Sequence, residues 1–180
     1  HLMGDSLYSL FEEGMDAPAP VSIRVNPVKT SGMRVIPSIA DGNVGWCPEG
    51  HYLKERPNFT FDPLLHSGVY YVQEASSMFI DEVLRQHVSQ PVVMLDLCAA
   101  PGGKTGYIFD LMQRRGSIIA WDLHPHRVEL INSTLERLRI PLITVEEALS
   151  GACGVAACVR DASAHADGLD EHFDAVQIPS

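Results

Sequence analysis

Val92-Val93-Met94-Leu95-Asp96-Leu97-Cys98-Ala99-Ala100-Pro101-Gly102-Gly103-Lys104-Thr105 decides the fold of this 180-residue chain. An apolar run, residues 92–95, leads into a loop of small residues whose lysine opens a helix predicted over residues 105–113. Strand, glycine turn and helix N-terminus in that order point to a nucleotide-type cofactor. Gly102 and Gly103 lack a Cβ, so the backbone is expected to approach a ligand there, and the first N–H groups of a helix have no partner within it. A phosphate-cradling loop requires Gly-x-x-x-x-Gly-Lys-Ser/Thr, and counting back from Gly103-Lys104-Thr105 puts Cys98 where the first glycine belongs. That reading, a P-loop nucleotidase, fails at a fixed position. A Rossmann-like site needs instead a carboxylate at the end of the next strand, about 20 residues beyond the glycines, to accept hydrogen bonds from ribose hydroxyls. Asp122 stands there, after Ser117-Ile118-Ile119-Ala120-Trp121 and the turn signal Arg114-Arg115-Gly116. A strand-end carboxylate can also cap the next helix, but the spacing favours the ribose.

Outward from this loop the pattern alternates strand and helix. Residues 73–87 carry Ala75, Met78, Phe79, Val83 and Leu84 at helical spacing. Residues 125–138 form the helix after Asp122, with proline in its first turn and Val128, Ile131, Leu135 and Leu138 on one face. Residues 142–145 are expected as the third strand, 146–151 as a short helical turn, and 173–178 as the fourth strand. Alternation of this kind implies a parallel, doubly wound sheet. Towards the N-terminus, residues 4–14 read as a helix ended by a glycine, Asp16-Ala17-Pro18-Ala19-Pro20 as a break, and 21–26 as a strand. Residues 33–39 read as extended, and 43–52 as loop-rich with a strand around Val44-Trp46.

The loop resembles the cofactor loop of the S-adenosylmethionine-dependent RNA 5-methylcytosine methyltransferases, the NOL1/NOP2/Sun group that includes bacterial ribosomal RNA methyltransferases. Ser22-Ile23-Arg24-Val25-Asn26-Pro27 is similar to that family's Arg-Val-Asn motif. Tyr71-Val72-Gln73-Glu74-Ala75-Ser76-Ser77-Met78 is similar to its segment entering the catalytic domain. The fold class expected is α/β: an incomplete Rossmann-like methyltransferase sheet holding its first four strands, preceded by a small α+β module. The module is placed at residues 1–66, with 1–4 as a cloning remnant, and the cofactor domain at 67–180. The resemblance implies S-adenosylmethionine as cofactor. Cys98, Ala99, Ala100, Pro101, Gly102, Gly103 and Lys104 would wrap its amino-acid end and ribose, Asp122 would hold the ribose, and Asp161 would lie against the adenine. Arg127 is read as a solvated helix-face arginine, and Asp161 has the alternative of a turn aspartate.

Family chemistry adds a cysteine thiolate to cytosine C6, methylates C5 and uses a second cysteine for release. Both cysteines lie beyond the fourth strand, and the sequence stops at Pro179-Ser180. Cys98 lies in the cofactor loop, and Cys47, Cys153 and Cys158 fall outside both catalytic motifs. No catalytic residue is therefore assigned, and the chain as given is expected to be inactive. A truncated or hybrid member is implied, since Trp46-Cys47-Pro48-Glu49-Gly50 resembles one bacterial branch and Asp122-Leu123-His124-Pro125-His126-Arg127 another. A folded, self-associating or engineered module without ligand binding is the alternative.

Four cysteines without a Cys-x-x-Cys pair give no zinc pattern, and Cys153 and Cys158 read as buried thiols; no metal is expected. The absence of a long apolar run argues against a membrane partner and for the cytoplasm. A net charge of −10 fits RNA poorly, although the acidity concentrates in residues 121–180, with four Lys/Arg against ten Asp/Glu. Arg24, Lys29, Arg34, Lys54 and Arg56 read as scattered solvated charges, so RNA binding is expected to be weak. An incomplete sheet leaves an unpaired strand edge, and self-association through residues 174–178 is expected to make a homo-oligomer.

Overall fold

The computed structural model describes residues 4–30, 40–87, 91–163 and 173–177. The expected extended segment at 33–39, Arg34, Ile178 and the terminal Pro179-Ser180 lie outside these. Two four-stranded sheets organise the chain. The first is antiparallel, built from β1 (Val21–Val25), β2 (Ala40–Asn43), β3 (Gly50–Leu53) and β4 (Tyr70–Val72) in the order β2-β3-β1-β4. The second is parallel, built from β5 (Val92–Asp96), β6 (Gly116–Asp122), β7 (Gly154–Val159) and β8 (Ala175–Gln177) in the order β7-β6-β5-β8. Numbered along the chain, the parallel strands lie 3-2-1-4, as a doubly wound sheet requires.

Alternation along the central strands fills both faces of that sheet. Met94 and Ile118 point to one side with Ile108 and Phe109 of α5 (Gly103–Leu111) and Ile131 and Leu135 of α6 (Pro125–Arg137). Leu95, Ile119 and Trp121 point to the other side, against Ala148 of α7 (Val145–Leu149). Residues adjacent in sequence thus serve opposite cores, which explains why β5 and β6 read as continuous apolar runs. Each fully buried Ile or Leu contributes about 1.5–3 kcal/mol of transfer free energy.

Several expectations are corrected by the fold. The third strand is Gly154–Val159, not residues 142–145, of which Leu142 makes only an isolated bridge to Val155. Thr144 instead caps α7: its side chain accepts from the Glu147 N–H, and the Glu147 carboxylate accepts from the Thr144 N–H. That reciprocal pair is a capping box, and it draws Val145 into a helix. The segment Val44-Trp46 lies in the turn between β2 and β3 rather than in a strand. Residues 73–87 open with extended Gln73-Glu74 and a 3-10 turn, Ser76–Phe79, before α4 (Ile80–His87). The first helix, α1 (Asp5–Asp16), runs through Gly14 and stops before Pro18, and it buries none of its residues. Cys153 is exposed and Cys158 half-buried, so Cys153 is not the buried thiol expected.

Arg24 corrects the expectation for the basic residues most sharply. It is not solvated but 2% exposed, in the middle of β1. Its Nη1 pairs with the Asp110 carboxylate of α5 at 3.2 Å, and its guanidinium lies 4.3 Å from the Tyr107 ring centroid. Two residues on, Asn26 donates from Nδ2 to the Leu138 carbonyl at 3.3 Å. The Arg-Val-Asn motif thereby straps the antiparallel sheet to α5 and to the end of α6. From the other side Arg137 donates to the Leu65 carbonyl at 2.8 Å and lies over the Tyr71 ring. Because β4 pairs with β1, the antiparallel sheet extends past the 66/67 boundary expected from the sequence.

Candidate functional site

The site is built where β5 ends. Asp96, the last residue of the strand, is 2% exposed and accepts from Thr105 Oγ1 of α5 at 2.6 Å, so the two ends of the loop are tied together beneath it. Burial pushes the Asp96 carboxyl above the usual carboxylate range, opposed by the Thr105 hydroxyl, the Cys98 N–H and the charge of Lys104. The loop is further pinned by the Ala99 N–H donating to the Trp121 carbonyl at 3.0 Å and the Gly102 N–H donating to the Ala99 carbonyl at 2.7 Å.

The two glycines have different duties from those expected. Gly102 adopts a left-handed conformation, φ 93°, at the N-cap of α5, and its missing side chain faces Ile131 and Thr134 of α6 at 3.4 Å. A Cβ on Gly103 would lie 2.4 Å from Cε1 of Tyr71. Both are glycine because protein packs against them, one for backbone conformation and one for close approach of a ring.

Between the loop and β4 lies a cleft of about 300 Å³. One wall is Cys98, Ala99, Ala100, Pro101, Gly103 and Lys104; the other is Tyr71, Val72, Gln73, Glu74 and Ser77. Six of the seven loop residues singled out from sequence thus line one cavity, and Gly102 stands behind it. The second wall was not singled out as a site, although the polar run Gln73-Glu74 between a strand and a helix was its signal.

Asp122 ends β6, is 2% exposed and joins the loop from below. Its Oδ2 accepts from the Ala100 N–H at 3.3 Å, and its Oδ1 accepts from the His124 N–H at 3.4 Å and pairs with Arg127 Nε at 3.4 Å. Arg127 is therefore not merely solvated but a partner of this carboxylate. All three contacts are long for charge-assisted bonds, which run about 2.7–2.9 Å. Asp161 lies two residues past β7, exposed, and accepts from the Ser163 N–H and hydroxyl, which hold its carboxyl below the usual range. It is tied to the Asp122 strand end only through its neighbour: the Arg160 N–H donates to the Asp122 carbonyl at 2.9 Å.

This arrangement, a carboxylate-ended β6 beside a small-residue loop closing β5 in a 3-2-1-4 sheet, recurs in known proteins. The family model described as the N-terminal domain of 16S rRNA methyltransferase RsmF matches residues 1–75, and that of 16S rRNA methyltransferase RsmB/F matches residues 82–152. The chain belongs to the RsmB/F methyltransferase family. Ribosomal RNA small subunit methyltransferase F of Pectobacterium atrosepticum is 32% identical over 182 residues, covering 89% of this chain and 33% of that protein. Among solved structures, PH0851 superposes with a TM-score of 0.73 at 26% identity, over 97% of this chain and 38% of that one. A methyltransferase homologue from Pyrococcus horikoshii gives 0.60 at 29% identity, over 82% and 45%. The chain spans about a third of the length of the curated RsmB/F relatives it matches. No helix among the described residues is long and apolar enough to cross a membrane.

Proposed function

We propose that this chain carries the N-terminal module and the methyl-donor half of an S-adenosylmethionine-dependent ribosomal RNA cytosine-C5 methyltransferase of the cytoplasm. The observation that carries this reading is the cleft that residues 98–104 form with the Tyr71 side. Cys98, Ala99, Ala100, Pro101, Gly103 and Lys104 hold the amino-acid end of the cofactor, with Gly102 setting the turn. Asp122 accepts from the ribose hydroxyls, exchanging its long contacts to Ala100 and His124 for shorter ones. Asp161, reached along the same sheet edge, faces the adenine. When bound, the sulfonium supplies an electrophilic methyl group; the residues of this chain supply its orientation.

None of the four thiols is assigned as nucleophile. Cys47 is fully buried, with burial raising its thiol pKa and the Tyr107 hydroxyl donating to its sulfur at 2.9 Å. Cys158 sits in β7 with its pKa likewise pushed up by burial. The 180-residue chain alone is thus proposed to bind cofactor without transferring methyl groups, and to meet RNA weakly given its net charge of −10.

Calorimetric titration with S-adenosylhomocysteine tests the reading. Saturable binding is expected, and Gly102→Val should abolish it, because a β-branched residue at φ 93° costs about 1–3 kcal/mol and displaces the loop. Absence of binding by the unmodified chain favours a folded module without a ligand. Transfer of methyl groups to RNA by this chain overturns the proposed inactivity.

A further inference from the structure

The Gln73 side chain carries an unmet donor at the wall of the cleft. The residue is 7% exposed, and its backbone is fixed to β1, accepting from Ser22 Oγ at 2.6 Å and donating to the Ser22 carbonyl at 3.3 Å. Its side-chain oxygen accepts from Arg24 Nε at 3.1 Å. That bond fixes which end of the amide is which, since Arg24 can only donate. The amide nitrogen Nε2 is left with no partner among the described residues, and Arg24 Nη2, next to it, is a second donor in the same state. A buried donor without an acceptor costs free energy that a fold seldom spends without return. Gln73 lines the cleft opposite Lys104, beside Glu74 and Ser77.

We propose that Gln73 is a ligand-contacting residue whose Nε2 donates to the carboxylate of the methyl donor's amino-acid end, together with Lys104, while Glu74 faces the ammonium group. This rests on the cofactor reading above and adds to it the wall that β4 supplies. The charge pattern selects the ligand. Lys104 and an unmet amide donor suit a carboxylate, and one carboxylate beside them suits an ammonium, so the cleft matches an α-amino acid end. A neutral pyrimidine edge calls for no such pair of opposite charges. The Arg-Val-Asn strap then has a second consequence: Arg24 orients the Gln73 amide and so presents its donor to the cleft.

The test is calorimetry on the full 180-residue chain with two probes, S-adenosylhomocysteine and 5′-methylthioadenosine, which keeps adenine and ribose but has no amino-acid end. Gln73→Glu retains an acceptor for Arg24 and removes the donor; Gln73→Leu removes both, and if it fails to fold the glutamate variant decides. The variants are expected to weaken S-adenosylhomocysteine by about tenfold or more while leaving 5′-methylthioadenosine unchanged. Unchanged affinity for S-adenosylhomocysteine, as expected of a bridging water or a contact to the target base, overturns the inference alone. Equal loss for both probes assigns Gln73 a purely structural role and overturns it too. Failure of the unmodified chain to bind either probe overturns the cofactor reading itself.

Discussion

Asp96 shows how a single carboxylate closes the loop and what that costs. Its folded pKa lies above the usual 3.8 because burial outweighs the Thr105 hydroxyl, the Cys98 N–H and Lys104. Below that ordinary value the group is protonated in both states and imposes no penalty. As pH rises the unfolded chain ionises first, so stability falls until the raised folded value is passed. Thr105→Val removes the 2.6 Å bond that favours the anion and lifts the folded pKa further. The variant should lose about 1–3 kcal/mol near neutral pH, with the gap to the unmodified chain narrowing as pH falls towards 4, read from urea unfolding midpoints. A gap independent of pH would show that Thr105 matters by packing alone. The glycines give the complementary lesson. Their positions were legible in the sequence, but their reasons were not, since Ile131 and Tyr71 come from elements 29 and 32 residues away and only the fold brings them together.

At the scale of elements, Arg24 is the joint between β1 and α5. Arg24→Ala should cost about 3–5 kcal/mol in guanidinium unfolding, towards the lower end because Arg114 still pairs with Asp110 at 2.9 Å. A loss under about 1 kcal/mol would mean that the buried ion pair does not hold the two sheets together. From sequence this arginine was indistinguishable from a surface charge, because no short-range pattern reports a partner 86 residues away. Helices α5 and α6 and strands β5 and β6 were legible, since their apolar spacing coincides with the faces they bury. The third strand was not. Leu142-Ile143-Thr144-Val145 has the β-branched look of a strand, whereas Gly154-Val155-Ala156-Ala157-Cys158-Val159 is mostly small. The signal that decides between them was nevertheless local: Thr144-x-x-Glu147 is a capping box, and a strand centred on parallel neighbours needs small residues where α7 and α6 press on both faces.

On the scale of the whole molecule, the antiparallel sheet and the cofactor-type sheet meet at the cleft, so the module contributes a wall to the site rather than only an appendage. The same topology leaves β8 at the end of the parallel sheet, paired to β5 and to no other described strand. Val176 is 51% exposed there, and β8 is three residues long, against seven in β6. A strand end with unpaired N–H and C=O groups and an exposed valine is a template for another chain, and a net charge of −10 opposes that association most at low salt. Light scattering of the 180-residue chain should therefore give a mass above that of one chain, rising with protein concentration and with salt up to physiological strength. Val176→Lys, which adds a charge to the edge, should lower it towards a single chain without lowering the unfolding midpoint by more than about 0.5 kcal/mol. A mass of 19.7 kDa at every concentration and salt would show that β8 is closed within its own chain.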